Sequence, residues 1–339
     1  MKVLSKILGI LILLGLVMAV AAFFMGLDIA GLRGFFNDDE AYGEMLTETL
    51  SDDIHTIEMD VETRSIIVHV VESSDITVTY YAHESRDTWT FDVVDNIYTV
   101  TQKEKVGFFN FLNYKFVSED IKTVHLYIPA DVVYTMNLET SVGAVRVEFD
   151  EVITFDDLTL SSNTGSVYVE NVIVETLHAT TDTGYVMIKE VESAGVIVAD
   201  SDTGSLSLTD VVAESFELDS DTGSITLTRI EASTLEASVD TGRVTVTDSS
   251  FSGGVDIHTS TGDINITDTV ASSFDLSSST GDVDFTSTTL GDYRYDLRTS
   301  TGTIRVDGAN QGDRHSTTTG SVLIKVEVST GNITINTTN

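Results

Sequence analysis

Four tripeptides of the form Asp-Thr-Gly, starting at Asp182, Asp202, Asp221 and Asp240, are the residues of this chain that most suggest chemistry. Two such loops facing one another can share a proton between their carboxylates, the arrangement of an acid protease. The same side chains could instead hold a hard cation, because calcium takes carboxylate oxygens. The spacing decides between these readings, and it is the spacing of a repeat.

Thr-Gly pairs end at Gly165, Gly184, Gly204, Gly223, Gly242, Gly262, Gly281, Gly302 and Gly320, with successive glycines 18 to 21 residues apart. Such a period belongs to the coils of a solenoid and is too short for propeller blades or helical hairpins. After each glycine comes an apolar pair separated by one residue, from Val167/Val169 through Ile225/Leu227 to Val322/Ile324. Seven and five residues before each glycine stands a second pair, from Leu158/Leu160 through Phe216/Leu218 to Tyr295/Leu297. This second pair fails only before Gly320, where Asp313 and His315 stand, and a shortened last coil carries Ser329 two residues before its glycine. Period-two alternation marks half-buried strands, and stacking coil on coil lines like residues into interior ladders. The expected fold is all-β, a parallel β-solenoid of coils about 20 residues long. Right-handed winding is expected from the handedness of parallel crossovers, and roughly ten coils would give a rod on the order of 50 Å long.

Within that frame the residue two before each glycine is Asn163, Asp182, Asp202, Asp221, Asp240, Ser260, Ser279, Ser300 or Thr318. All are short oxygen-bearing turn formers able to bond the backbone two residues on, with glycine supplying positive φ. The Asp-Thr-Gly tripeptides therefore recur in phase with Ser-Thr-Gly and Asn-Thr-Gly turns, and their protease meaning dissolves into the repeat. A carbohydrate-active enzyme on this scaffold would use Asp200, Asp202, Asp219, Asp221 and Asp240, yet no break in the repeat builds a pocket for it. The histidines His55, His69, His83, His125, His178, His258 and His315 are scattered, none in register with another, and they spell neither a metal triad nor a nucleophile–base pair. Threonines at Thr226/Thr228 and Thr245/Thr247 hint at a flat outer lattice, which Asp263, Asn265, Asp282 and Asp284 interrupt. No catalytic residue and no bound cofactor is expected. Stacked at strand spacing, however, Asp182, Asp202, Asp221 and Asp240 repel by roughly 1 kcal/mol per neighbouring pair even in water. Weak calcium binding along this ladder would offset that cost.

The chain carries 54 acidic against 18 basic residues, a formal net charge of -36. That field repels nucleic acid, whose recognition rests on Lys and Arg neutralising phosphate. At 41% hydrophobic residues the acidity clothes a folded chain, and the absence of cysteine excludes disulfides, thiolate metal sites and lipoprotein acylation. Lys2 and Lys6 precede an uncharged run from residue 7 to residue 27, followed by Asp28 and then Asp38, Asp39 and Glu40. Such a run is long enough to span a bilayer, and the charge asymmetry puts the N-terminus in the cytoplasm and the bulk outside. An uncleaved signal anchor is the preferred reading. The competing one is a signal peptide cut after Ala19-Val20-Ala21.

The expected organisation is a cytoplasmic stub and transmembrane helix over residues 1–31, a linker over 32–50, a β-rich capping segment over 51–135 and the solenoid over 136–339. The capping segment alternates like strands (Ile57, Met59, Val61; Ile76, Val78, Tyr80; Val124, Leu126, Ile128) without the Thr-Gly beat. Its expected job is to cover the open first coil. An aromatic run from Val106 to Phe116, flanked by Lys103 and Lys105, is expected to pack that cap, with contact to a membrane or partner as the alternative.

The signal anchor, the segment Val124-His125-Leu126-Tyr127-Ile128-Pro129-Ala130-Asp131, the turn Leu138-Glu139-Thr140-Ser141-Val142-Gly143 and the tandem Thr-Gly-x-Val-x-Val coils together resemble the bacterial "putative adhesin" family of unknown-function envelope domains over residues 50 to 339. The resemblance implies a β-solenoid ectodomain and an association with cell-envelope stress regulation, and it brings no catalytic residues. The function expected is binding or sensing at the cell envelope by a membrane-anchored, extracytoplasmic protein. The alternatives are a carbohydrate-active β-helix enzyme and a passive spacer.

Overall fold

The computed structural model describes residues 39–51, 53–105, 117–288 and 291–337. The expected membrane span at residues 7–27 and the whole aromatic run, 106–116, lie outside the described residues. Among the described residues no helix is long and apolar enough to cross a membrane.

The chain is all-β, and its strands fall into two long sheets of 16 and 14 strands. Each coil gives one strand to each sheet. Asp157–Thr164 pairs in parallel with Thr176–Thr183, Leu158 opposite Leu177 and Leu160 opposite Ala179, so one repeat length carries each apolar residue onto its counterpart. Across the core, Val167–Val174 pairs with Val186–Ser193 in the same way, Val167 opposite Val186 and Val169 opposite Ile188. Both pairs expected from the sequence are buried along the coils, with Tyr295 and Val322 only partly so, and they belong to one continuous apolar cluster from Ile54 to Ile335.

A third inward pair completes each coil. Six residues after the glycine the strand of the larger sheet turns through a left-handed residue: Asn171 (φ 58), Glu190 (φ 53), Asp210 (φ 57), Arg229 (φ 55), Asp248 (φ 51) and Asp268 (φ 47). Beyond this corner Val172/Val174, Val191/Ser193, Val211/Ala213, Ile230/Ala232, Ser249/Phe251 and Thr269/Ala271 are buried. The mixture of Ser, Thr and Ala in this pair hides its period. Asn and Asp tolerate the left-handed region better than other non-glycine residues, which fits four of the six corners.

At the other corner the glycines are fixed by contact between coils. A Cβ on Gly204 would lie 1.4 Å from the carbonyl oxygen of Gly184, and the corresponding distances at Gly165, Gly223 and Gly262 are 1.8, 1.7 and 1.5 Å. The turn is therefore not the self-bonded one that the sequence suggests. Its amides bond from coil to coil, Gly165 N to Thr183 O at 2.9 Å and Gly204 N to Thr222 O at 2.9 Å. Just inside it, buried hydroxyls three residues before the glycine reach the glycine carbonyl of the neighbouring coil: Ser162 to Gly143 (2.8 Å), Thr181 to Gly165 (2.7 Å), Ser220 to Gly204 (3.0 Å) and Ser278 to Gly262 (3.0 Å). Val239, at the same position, interrupts this hydroxyl ladder.

At both ends the stacking order departs from the chain order. Thr56–Val61 and Ser65–Val71 lie parallel to Thr135–Val142 and Val145–Thr154 and so extend the two sheets into the capping segment. Ile97–Glu104 and Thr123–Pro129 stack outside them, although they come later in sequence. Antiparallel strands Asp87–Val94, Ile76–Tyr80 and Leu46–Leu50 finish this end. In the first coil Arg64 takes the glycine's place, since a Cβ on Gly143 would strike its carbonyl oxygen at 2.5 Å. Its side chain is fully buried, with Nη2 2.6 Å from Asp87 Oδ2 and Nη1 2.7 Å from Thr63 Oγ1, and Glu104 Oε2 lies 3.5 Å away. Buried charges need partners of this kind. The network is the lid over the apolar ladder.

At the far end the reading of Gly320 needs correction. Val322 and Ile324 do not follow a coil turn. They open Val322–Thr330, the strand that precedes Gly331. This strand lies between Ser273–Thr280 and Tyr293–Thr301, and Ile333–Thr337 lies between Val283–Ser287 and Ile304–Val306, so the last coil is slotted into a gap between two earlier ones. The stretch around Asp313 and His315 forms short antiparallel strands, Ala309–Gly312 and Arg314–Ser316, on the outermost coil. That placement explains the apolar pair missing before Gly320.

Candidate functional site

Because inward positions alternate along each strand, the outward positions of the 14-stranded sheet form columns running along the solenoid. The column two residues before the glycine holds Asp182, Asp202, Asp221 and Asp240, all exposed and stacked in successive coils. Four residues before the glycine, Asp200 stands directly opposite Asp219. Six residues before it, Glu217, Glu236, Asp256 and Asp275 follow one another in register. Ten carboxylates thus share one sheet face. Lys325, opposite Asp275 and 2.9 Å from it, closes this last column.

Burial, and after it crowding, is visible in the acid strengths. The Asp200 carboxyl is held above the ordinary carboxylate range, first by burial and then by Asp219, Asp202, Asp221 and Asp182. Burial also raises Asp219, a hydrogen bond from Ser238 opposes it, and Asp221 and Asp240 add to the rise. Asp256 is raised by burial and by Asp275, with Lys325 working against both. The ionised face is thus under repulsive load that a positively charged neighbour would relieve.

The four turn aspartates do stack as the sequence implies. Among the described residues, however, no group of three or more His, Cys, Asp or Glu side chains gathers closely enough to enclose a metal ion. A shallow groove over the same sheet is lined by Val198, Asp200, Glu217, Asp219, Glu236 and Ser238. Along this sheet the carboxylates run in rows from strand to strand.

Two surface features escape sequence reasoning. On the outward side of the 16-stranded sheet the guanidinium of Arg146 lies 3.8 Å from the ring centre of Tyr168, which meets Tyr185 edge-on at 6.0 Å. Further towards the capping end His69 and His125 are brought into contact, Nε2 of the first 2.9 Å from Nδ1 of the second. They are not register partners, since His69 lies opposite Tyr127 and His125 opposite Ile67, and their contact is a diagonal one that the sequence reading does not anticipate. They meet because the strand of His125 stacks on the strand of His69 out of chain order, and no repeat period announces it.

Comparison with functionally curated proteins gives no match. Among solved structures, the chain is similar to a protein from Bacteroides fragilis named a putative adhesin, at 13% identity over 87% of this chain and 98% of that one, with a TM-score of 0.43. A protein from Clostridium sporogenes named a putative cell adhesion protein also matches, at 10% identity over 87% of this chain and 99% of that one, with a TM-score of 0.21. The sequence model of the Toastrack DUF4097 family matches twice, over residues 54–203 and 195–334. The two matches take in both the capping segment and the coils, and the chain belongs to the Toastrack DUF4097 family.

Proposed function

We propose that this chain is a membrane-anchored, extracytoplasmic binding protein of the cell envelope, adhesin-like and non-catalytic, working in association with envelope stress. The anchor is the apolar run at residues 7–27, with the N-terminus cytoplasmic. The observation that carries the binding reading is the ten-carboxylate face, an extended surface on which partial burial first, and neighbouring carboxylates second, raise Asp200, Asp219 and Asp256 together. A long, repetitive and charged plane suits many weak contacts along a polymer or surface better than one enclosed ligand. Calcium belongs to this reading as a loosely held counter-ion shared along Asp182, Asp202, Asp221 and Asp240.

A second reading, a carbohydrate-active enzyme, draws on the carboxylates beside the groove at Asp200, Glu217, Asp219 and Glu236. One experiment separates the two. The ectodomain is incubated with envelope polysaccharides, with and without calcium, and retention and chain length are measured. Retention without shortening supports binding. Shortening that disappears in Asp200→Asn and Asp219→Asn overturns it in favour of an enzyme, and neither retention nor shortening reduces the chain to a spacer.

A further inference from the structure

His69 and His125 lie 56 residues apart in sequence but on neighbouring parallel strands, Ser65–Val71 and Thr123–Pro129. Ile66, Val68, Val124 and Leu126 fill the core, so the alternating positions of His69 and His125 face outward. The two imidazoles meet with ring centres 5.1 Å apart, and Tyr127 stacks on His69 at 4.7 Å with planes 19° apart. Thr79 stands directly opposite His125 on the antiparallel strand. It is only 8% exposed, and its Oγ1 is buried without a hydrogen-bond partner. Burial lowers the pKa of both histidines, His125 adds to the effect on His69, and Asp120 works against it at His125. The ring-to-ring hydrogen bond needs one nitrogen to accept from the other, so one imidazole presents a free lone pair to its neighbour. An uncharged imidazole is the metal-binding form.

We propose that His69 and His125 are a two-imidazole chelate for a zinc-class divalent ion, with His69 Nε2 and His125 Nδ1 as the ligating atoms. Imidazole nitrogens bind zinc at about 2.05 Å, which puts each ring centre about 3.2 Å from the metal. Ring centres 5.1 Å apart then subtend about 106° at the metal, close to the tetrahedral angle that zinc prefers. Reaching that geometry turns each lone pair about 37° off the line joining the rings, through χ1 and χ2 adjustments of the two side chains, and widens the nitrogen separation from 2.9 Å to about 3.3 Å. No net proton is released. The bridging N–H moves through solvent to the other nitrogen of its own ring and frees both lone pairs for the metal. Water completes the coordination shell. The partnerless Thr79 hydroxyl, facing His125, is placed to bond one such water, as outer-shell groups do in metal sites. Electrostatics agree, since the field of a chain with net charge -36 concentrates cations. Arg146, which faces Ile67 on the next strand, is itself paired to Glu148 at 2.9 Å. With only two protein ligands the site is reversible and responds to metal supply.

The test uses the full chain in detergent micelles with excess calcium present, so that the carboxylate columns are already supplied with cations. Calorimetric titration with zinc is expected to give one saturable site. His69→Ala and His125→Ala should each weaken it by at least about tenfold, since loss of even an outer-shell partner costs that much, while His178→Ala leaves it unchanged. As a check that does not depend on how the variants fold, cobalt(II) added to the unsubstituted chain should broaden the amide signals of Thr79 and Tyr127 before others. Zinc binding that is unchanged in both His variants, absence of a saturable site, or cobalt broadening centred elsewhere would each overturn the assignment.

Discussion

Asp200 and Asp219 offer the most direct test of whether the acidic face is under load. They are register partners on parallel strands, which stand about 4.8 Å apart. Two unit charges at that distance repel by about 0.9 kcal/mol in water and about 3.5 kcal/mol at an effective dielectric of 20. Asp219 is exposed and Asp200 only half-buried at the surface, so the figure nearer the water limit is the better guide, and Asp200→Asn is expected to stabilise the fold by roughly 1 kcal/mol at neutral pH and low salt. Asp219→Asn should gain less, because it also gives up a carboxylate that Ser238 bonds. The double variant should gain less than the sum of the two, since either substitution already removes the pair repulsion. The sign with pH follows from the raised acids. The destabilising ionised form is present above the folded-state pKa and is lost as pH falls through it, so the unsubstituted chain should gain stability on acidification from neutral into the carboxylate range. Asp200→Asn should gain less over the same interval. Urea unfolding at low and high salt measures all of this, and salt should shrink the difference between chain and variant. A destabilised Asp200→Asn, or a gain indifferent to salt, would refute the argument that these acids repel.

Three further outcomes follow from the coil architecture. Gly204→Ala places a Cβ 1.4 Å from the Gly184 carbonyl oxygen, which forces two coils apart. The expected cost is about 3 kcal/mol or more by thermal or urea unfolding, and hydrogen exchange should rise first in the two coils that meet there. Ser220→Ala removes the buried hydroxyl that bonds Gly204 O at 3.0 Å and should cost about 1 kcal/mol, whereas Val239→Thr restores the missing rung and should be neutral or stabilising by up to about 1 kcal/mol in the same assay. Arg64→Met leaves Asp87 and Glu104 buried without their cation and should destabilise by about 3–5 kcal/mol, with exchange protection lost first in strands Ile97–Glu104 and Thr123–Pro129.

The body of the fold was legible because it repeats. Two inward pairs and one glycine recur often enough to fix strands, turn and stacking, and both pairs are buried as expected. The third pair was not legible, since Val191/Ser193 and Thr269/Ala271 mix polar with apolar residues and a left-handed corner separates them from the strand before. The reason for the glycines was only half legible: the sequence shows a turn, but the contact from Gly204 to Gly184 exists only once coils stack. For the face, the aspartate columns could be read directly from the period. The meeting of His69 with His125 could not, because it depends on two strands stacking out of chain order, where the repeat gives no guidance. The same blindness produced the misplacement of Val322 and Ile324 at the other end.

The slotted last coil bears on how this chain matures. In an ordinary solenoid each new turn lands on a finished one, so structure can grow stepwise as the chain emerges. Here Val322–Thr330 must enter between Ser273–Thr280 and Tyr293–Thr301, both made earlier. Either the earlier pair waits unjoined, its aromatic ends Phe274, Phe285 and Tyr293 uncovered, or a premature junction must open again. Until it is joined, this stretch is a vulnerable half-built wall, open to proteases and to strand exchange with a neighbouring copy. Completion of the rod is thus a single late event, and a chain cut short after Gly320 would lose the keystone that joins its terminal coils.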